Sequence, residues 1–180
     1  MPIPDPSAPQ TLRLIQRISP NERPFRVEIQ PVEWARELYC TETVPRLVRE
    51  NGGECVLGWA LWIWPNVLIE GEFHAVWRKP DGTFVDPTPR KDGEPVVLFL
   101  PDPAAVIDRW QKDNVRMPLQ HRREILDFIE IEERIHRETN RGSEAQSSEF
   151  TVTPLFEHLK DEERRIFQRL VRRFGPPPEP

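Results

Sequence analysis

The stretch Lys79-Pro80-Asp81-Gly82-Thr83 constrains this chain more tightly than any other. Proline presets the first turn position, aspartate suits the second, and glycine takes the left-handed conformation that follows. This is the pattern of a three-residue hairpin loop, a type I turn closed by a glycine bulge, and it puts Lys79 opposite Thr83. Counting back along the ladder, Val76 faces Asp86. His74 lies two residues from Val76 and shares its face. His74 and Asp86 are then diagonal neighbours, roughly 7–8 Å apart at the backbone and within reach of two polar side chains. A two-residue loop would slip the register by one and throw them onto opposite faces.

An aspartate bound to one nitrogen of an imidazole holds its tautomer and stabilises the imidazolium. The other nitrogen is then able to take a proton from a nucleophile. A half-buried hairpin face with an incidental His and Asp has the same pattern, so the decision passes to what lies upstream. Cys40 immediately precedes a helix expected over residues 41–53, where Val44, Leu47 and Val48 share a face and Gly52-Gly53 ends the run. A thiol at a helix N-terminus feels the positive end of the dipole, which favours the thiolate. The bland alternative is a small buried hydrophobe, the commonest fate of a free cysteine. Cys55 sits inside the apolar run "ECVLGWALWIWP" and reads as core.

In order, the parts are Cys40 at a helix start, the helix, a strand, His74 on a strand, a turn, and Asp86 on the next strand. Here the chain resembles the transglutaminase-like branch of the papain-like cysteine enzymes. The resemblance rests on His74-Ala75-Val76-Trp77, offset by one residue from the family's His-Ala-Trp, and on Val85-Asp86-Pro87-Thr88, a close match to its Val-Asp-Pro-Thr. It covers about residues 34 to 89. The Gly-x-Cys signature common in the family is absent, since "ELYC" leads into the helix, and Pro45 follows soon after. The resemblance implies a Cys40–His74–Asp86 triad, with the Cys40 N–H and the Trp34 indole as oxyanion donors and Trp59 and Trp77 as groove residues. Helix core for Trp34, and strand core for Trp59, Trp62, Trp64 and Trp77, are the competing readings. "GWALWIWP" and "EFHAVW" also resemble uncharacterised bacterial proteins, some with a C-terminal SEC-C zinc motif. This chain has no cysteine-rich tail of that kind, so no zinc is expected there.

The expected fold is α+β, a helix bearing Cys40 packed on a small antiparallel sheet and followed by C-terminal helices. Residues 1–10 read as a proline-rich arm, 11–139 as the α+β domain, 140–153 as a polar linker, and 154–180 as an amphipathic helix with a proline-rich tail. Within the domain, "TLRLIQRI" and "FRVEI" read as extended pieces, "PVEWARELYC" as a helix with Pro at its first position, "VLIEGEFHAVWR" as a strand bent at Gly71, and "TFVDPTP" and "EPVVLFLPDP" as the next two strands. "PAAVIDRWQKDNV" and "PLQHRREILDFIEIEERIHRE" read as a short and a long helix.

The net charge of −5, with both signs interspersed, argues against nucleic-acid binding, and no apolar run reaches membrane-span length. The N-terminus lacks signal-peptide features and two cysteines suit a reducing compartment, so a cytoplasmic location is expected. Neither His-x-x-x-His, Cys-x-x-Cys nor a glycine-rich phosphate loop occurs, so neither a metal nor a cofactor is expected. Glu70 and Glu72 share a face with His74, as a polar edge, a second acidic contact to the His, or a contact to a cationic substrate. The expected function is a cysteine hydrolase or acyltransferase of protease, deamidase or transglutaminase type, cleaving an amide or isopeptide bond in a protein or peptide. The alternative is a non-catalytic protein-interaction module. The helix over 154–174 suits a protein partner under either reading.

Overall fold

The computed structural model describes residues 2–90, 93–107, 112–140 and 152–178. The long apolar run is a strand, as its β-branched and aromatic content favours. β2 (Glu54–Trp64) pairs antiparallel with β3 (Leu68–Arg78) along its whole length, from Glu54 opposite Arg78 to Trp64 opposite Leu68. In the connection Val67 N–H donates to the Trp64 carbonyl at 3.0 Å, and Asn66 takes a left-handed φ of 65°. Asparagine accepts that conformation more readily than most side chains. The pairing runs unbroken through Gly71, where a bend was expected. A Cβ there would lie 2.7 Å from Ile18 Cδ1, so the glycine makes room for the helix α1 (Pro9–Ile18).

The sheet closes on itself. β1 (Phe25–Ile29) runs parallel to β4 (Phe84–Asp86) on one side and antiparallel to β5 (Val96–Pro101) on the other. β5 continues to β2 and β4 continues to β3, which completes a ring of β2, β5, β1, β4 and β3. β6 (Val115–Pro118) adds to β3 over Leu68–Gly71. Alternation along each strand sorts the side chains. Val27, Ala60, Trp62, Val76, Val97 and Phe99 form a cluster drawn from the strands, the ring's interior. The outer face is covered by helices. Leu14 and Ile15 of α1 pack on Leu61, Ile69 and Leu98, and Val44 of α2 (Cys40–Asn51) packs with Ala75 and Leu57. α3 (Arg123–Thr139) and α4 (Pro154–Phe174) instead pack together at the β2–β3 turn, over Val67 and over Trp64 and Leu68 on the Trp62 side of the strands. Burying each side chain of Leu or Phe size is worth about 1.5–3 kcal/mol, so these layers hold the ring shut. The fold is thus α+β, with the Cys40 helix on a mainly antiparallel sheet and helices following it.

Several local expectations give way. "TLRLIQRI" is helical because Thr11, Leu14 and Ile15 recur at helical spacing on one buried face, with Pro9 in the first turn. "PVEWARELYC" forms two turns, with Ala35 N–H bonded to Val32 O and Tyr39 N–H to Arg36 O, and Leu38 at φ 68° breaks any helix. β6 lies where a helix was expected to end; residues 108–111 of that segment lie outside the described residues. The N-terminal arm is held down, since Ile63 N–H donates to Pro2 O at 3.1 Å and Ile3 packs against the core. Residues 141–151 of the expected linker lie outside the described residues. Thr153 just after them caps α4 by accepting from Phe156 N–H at 3.0 Å. The apolar stripe of α4, Leu159, Ile166 and Leu170, is buried within the chain. Among the described residues no helix is long and apolar enough to cross a membrane.

Gly58 lies opposite His74 across the β2–β3 ladder. A Cβ at Gly58 would sit 2.2 Å from the Leu100 carbonyl oxygen and 2.6 Å from the Phe99 ring. Backbone and a wedged aromatic leave no way to yield. Gly58→Ala is expected to cost about 3 kcal/mol, as overpacked cores do. Urea denaturation measures it, and a loss under about 1 kcal/mol would show that β5 shifts freely.

Candidate active site

The hairpin forms in the register that its turn chemistry demands. Gly82 has φ 88°, Gly82 N–H donates to Lys79 O at 2.9 Å, and Lys79 N–H donates to Thr83 O at 2.8 Å. Arg78 pairs with Phe84 and Trp77 with Val85. His74 and Asp86 therefore share the inner face, and His74 Nε2 lies 2.7 Å from Asp86 Oδ2. The other carboxylate oxygen, Oδ1, accepts the Thr88 N–H at 2.9 Å. The Asp-Pro-Thr sequence thus closes a small turn on its own carboxylate, which holds one oxygen still for the imidazole. His74 is 3% exposed and Asp86 0%.

Cys40 is brought to this pair by the chain that leaves β1. Gln30 N–H donates to Asp86 O at 2.8 Å and Val32 N–H to Pro87 O at 3.1 Å, so residues 30–32 track the continuation of β4. β4 pairs with β3 only at Trp77 and Arg78, and β6 only up to Gly71, while β2 occupies the opposite edge throughout. From Glu72 to Val76 that edge of β3 pairs with no strand among the described residues, and His74 sits at its centre. Cys40, 6% exposed, packs with Ala75 there, near enough to His74 to help raise the imidazole. Because Nε2 serves Asp86, Nδ1 is the nitrogen left for the thiol.

Cys40 is the first residue of α2, earlier than the pattern of residues 41–53 suggested. Glu42 and Thr43 both donate their N–H groups to Tyr39 O, at 3.1 and 2.9 Å. No side chain caps this terminus, and among the described residues no acceptor faces the N–H of Cys40 or Thr41. An uncapped helix start of this kind is a ready anion site. Leu38, two residues earlier, is 78% exposed at a positive φ. That conformation costs a side chain of this kind about 1–2 kcal/mol, a strain stored beside the thiol.

Burial alone would pull the His74 imidazole down. The Asp86 carboxylate and Cys40 on its two sides outweigh that and hold it well above its ordinary value. The ring is thereby favoured as an imidazolium beside the Asp86 carboxyl. Burial pushes the Cys55 thiol up to about 11, with Cys40 adding to the effect.

The other expected site residues fall elsewhere. Trp59 lies on the outer face under α1, its Nε1 donating to Asp102 at 3.1 Å, and Trp77 packs beside α2 with its Nε1 on Gly52 O at 2.9 Å. Strand alternation puts both across the sheet from His74. Trp34 is not helix core. It is 38% exposed, with the Arg46 guanidinium 3.9 Å from its ring centre, at the second turn of α2. Glu72 shares the His74 face, but it accepts from Trp62 Nε1 at 3.0 Å and from Arg90 at 3.5 Å. Glu70 pairs with Arg116 at 3.3 Å, and burial raises its carboxyl. Gly58 was missed as a site neighbour; an isolated glycine inside a strand pattern was its signal. Among the described residues no three His, Cys, Asp or Glu side chains gather as metal ligands. Compared with family models, curated proteins and solved structures, the chain matches none of them.

Proposed function

We propose that this protein is a cysteine hydrolase or acyltransferase of the transglutaminase-like type, acting on an amide or isopeptide bond of a protein or peptide. The observation that carries the reading is the buried His74–Asp86 pair, with Cys40 close to it on the first residue of an uncapped helix. Cys40 Sγ attacks the carbonyl carbon as thiolate, and the C–O π pair moves onto oxygen. The N–H groups of Cys40 and Thr41, at the uncapped start of α2, would donate to that oxyanion. His74 Nδ1–H gives its proton to the departing amine, leaving a thioester on Cys40. Water or an acceptor amine then adds while Nδ1 takes its proton, and the thiolate departs. Asp86 holds the ring's tautomer throughout.

The test is site-resolved alkylation. Iodoacetamide at pH 6.5 is expected to label Cys40 and leave Cys55 unlabelled, as peptide mass spectrometry would show. Labelling of both thiols together, and only above about pH 8, would instead favour a non-catalytic interaction module.

A further inference from the structure

A cleft of about 440 Å³ opens along the flank of α2 from its N-terminal end. Tyr39 and Thr41, the residues on either side of Cys40, both line it. Its charge is unlike that of the chain around it. Arg36, Arg46 and Arg49 line it against a single carboxylate, Glu42, in a protein whose net charge is −5. Two of the three guanidinium groups are held in place by aromatic rings. Arg36 lies 3.9 Å from the centre of the Tyr39 ring, and Arg46 lies 3.9 Å from that of Trp34. Stacking orients a guanidinium's N–H groups for a carboxylate; on Arg46 Nε already donates to Glu50 at 2.8 Å, so an incoming anion would meet its terminal N–H groups or displace Glu50. The intramolecular anions compete weakly: Glu42 is 3.9 Å from Arg36 with both side chains largely exposed, and Glu50 meets Arg46 at the half-exposed surface. Exposed pairs of that kind exchange readily for a better-placed anion.

We infer that this cleft is the subsite for a carboxylate on the acyl donor, so that the substrate is an acidic peptide whose anionic side chain docks beside the carbonyl attacked by Cys40. The inference rests on the cysteine-enzyme reading and narrows its substrate. The arginines would hold the donor through two-pronged contacts, while Trp34 and Tyr39 cover its apolar stem.

Two reagents of nearly equal size report on it directly. Iodoacetate carries a carboxylate and iodoacetamide does not. The ratio of their rate constants at Cys40, taken at pH 7 and low salt, measures the pull of the site on an anion. The ratio is expected to fall about 5-fold in the double variant Arg46→Gln, Arg49→Gln, and to be restored by Arg46→Lys, Arg49→Lys. It is also expected to fall more steeply with rising salt in the unaltered protein than in the glutamine double variant. The His74 imidazolium attracts iodoacetate too, but it is common to all the variants and sets their baseline. A ratio that stays constant across the variants would overturn the acidic-donor subsite while leaving the cysteine chemistry standing. Failure of both reagents to label Cys40 at neutral pH would bring down the catalytic reading and this one with it.

Discussion

His74→Ala is expected to slow the alkylation of Cys40 by iodoacetamide at pH 6.5 by about 100-fold, the scale on which positioned acid–base partners act. The imidazolium, paired with Asp86, is the cation that the proposed mechanism sets beside the Cys40 sulfur. Without it the sulfur faces Ala75 and Val44, an apolar setting that favours the neutral thiol. The gap between variant and wild type should close as pH approaches 10, where hydroxide removes the proton unaided. Stopped-flow kinetics with mass-spectrometric assignment checks both arms. His74→Gln, which keeps more of the bulk, guards against a variant that fails to fold. A change below about 3-fold in either would show that the imidazole does not govern the thiol.

Asp86→Ala is expected to cost about 3–5 kcal/mol in urea denaturation, the scale of breaking one side of a buried charged pair. The Asp86 carboxylate is fully buried and serves both His74 and the Thr88 N–H, so its removal orphans two donors. The loss should depend on pH in a defined direction. The folded value of His74 is raised, so its pairing stabilises the fold fully below about 6.5 and fades as pH climbs through the raised value. The penalty of Asp86→Ala is therefore largest near pH 6 and shrinks under alkaline conditions. Asp86→Asn separates stability from chemistry. Its amide oxygen still receives Thr88 N–H, but its NH₂ turned toward Nε2 forces the ring proton onto Nδ1. That is the wrong tautomer for taking a proton from Cys40, so the variant should keep more stability than the alanine and lose comparable reactivity. A penalty independent of pH would argue that Asp86 acts only as a turn residue.

Half of this site could be read from one loop. Pro80, Asp81 and Gly82 dictate a turn, the turn dictates a register, and the register puts His74 and Asp86 together. Each step depends on neighbours a few residues apart, so no distant contact could overrule it cheaply. The C-terminal helix was legible for a similar reason, with Thr153 and Pro154 at its start and Gly175 at its end. "PVEWARELYC" failed where these succeeded. Its composition suits a helix, but the segment must track β4 through the bonds of Gln30 and Val32 to Asp86 and Pro87, and then reverse at Leu38. The helix assigned to "PAAVIDRWQKDNV" failed at its far end, where Val115 to Gly71 pairing drew the chain into β6.

Local chemistry, then, decided the hairpin, the terminal helix and the facing of His74 toward Asp86, because turn geometry and side-chain periodicity act over a few bonds. Closure of the ring through the parallel β1–β4 pair, the gap it leaves along β3, the arrival of Cys40 in that gap and the arginine-lined cleft beside it are of another kind. Each is a contact between segments far apart in the chain, stabilised only once the whole sheet has closed. No short pattern of residues carries that energy.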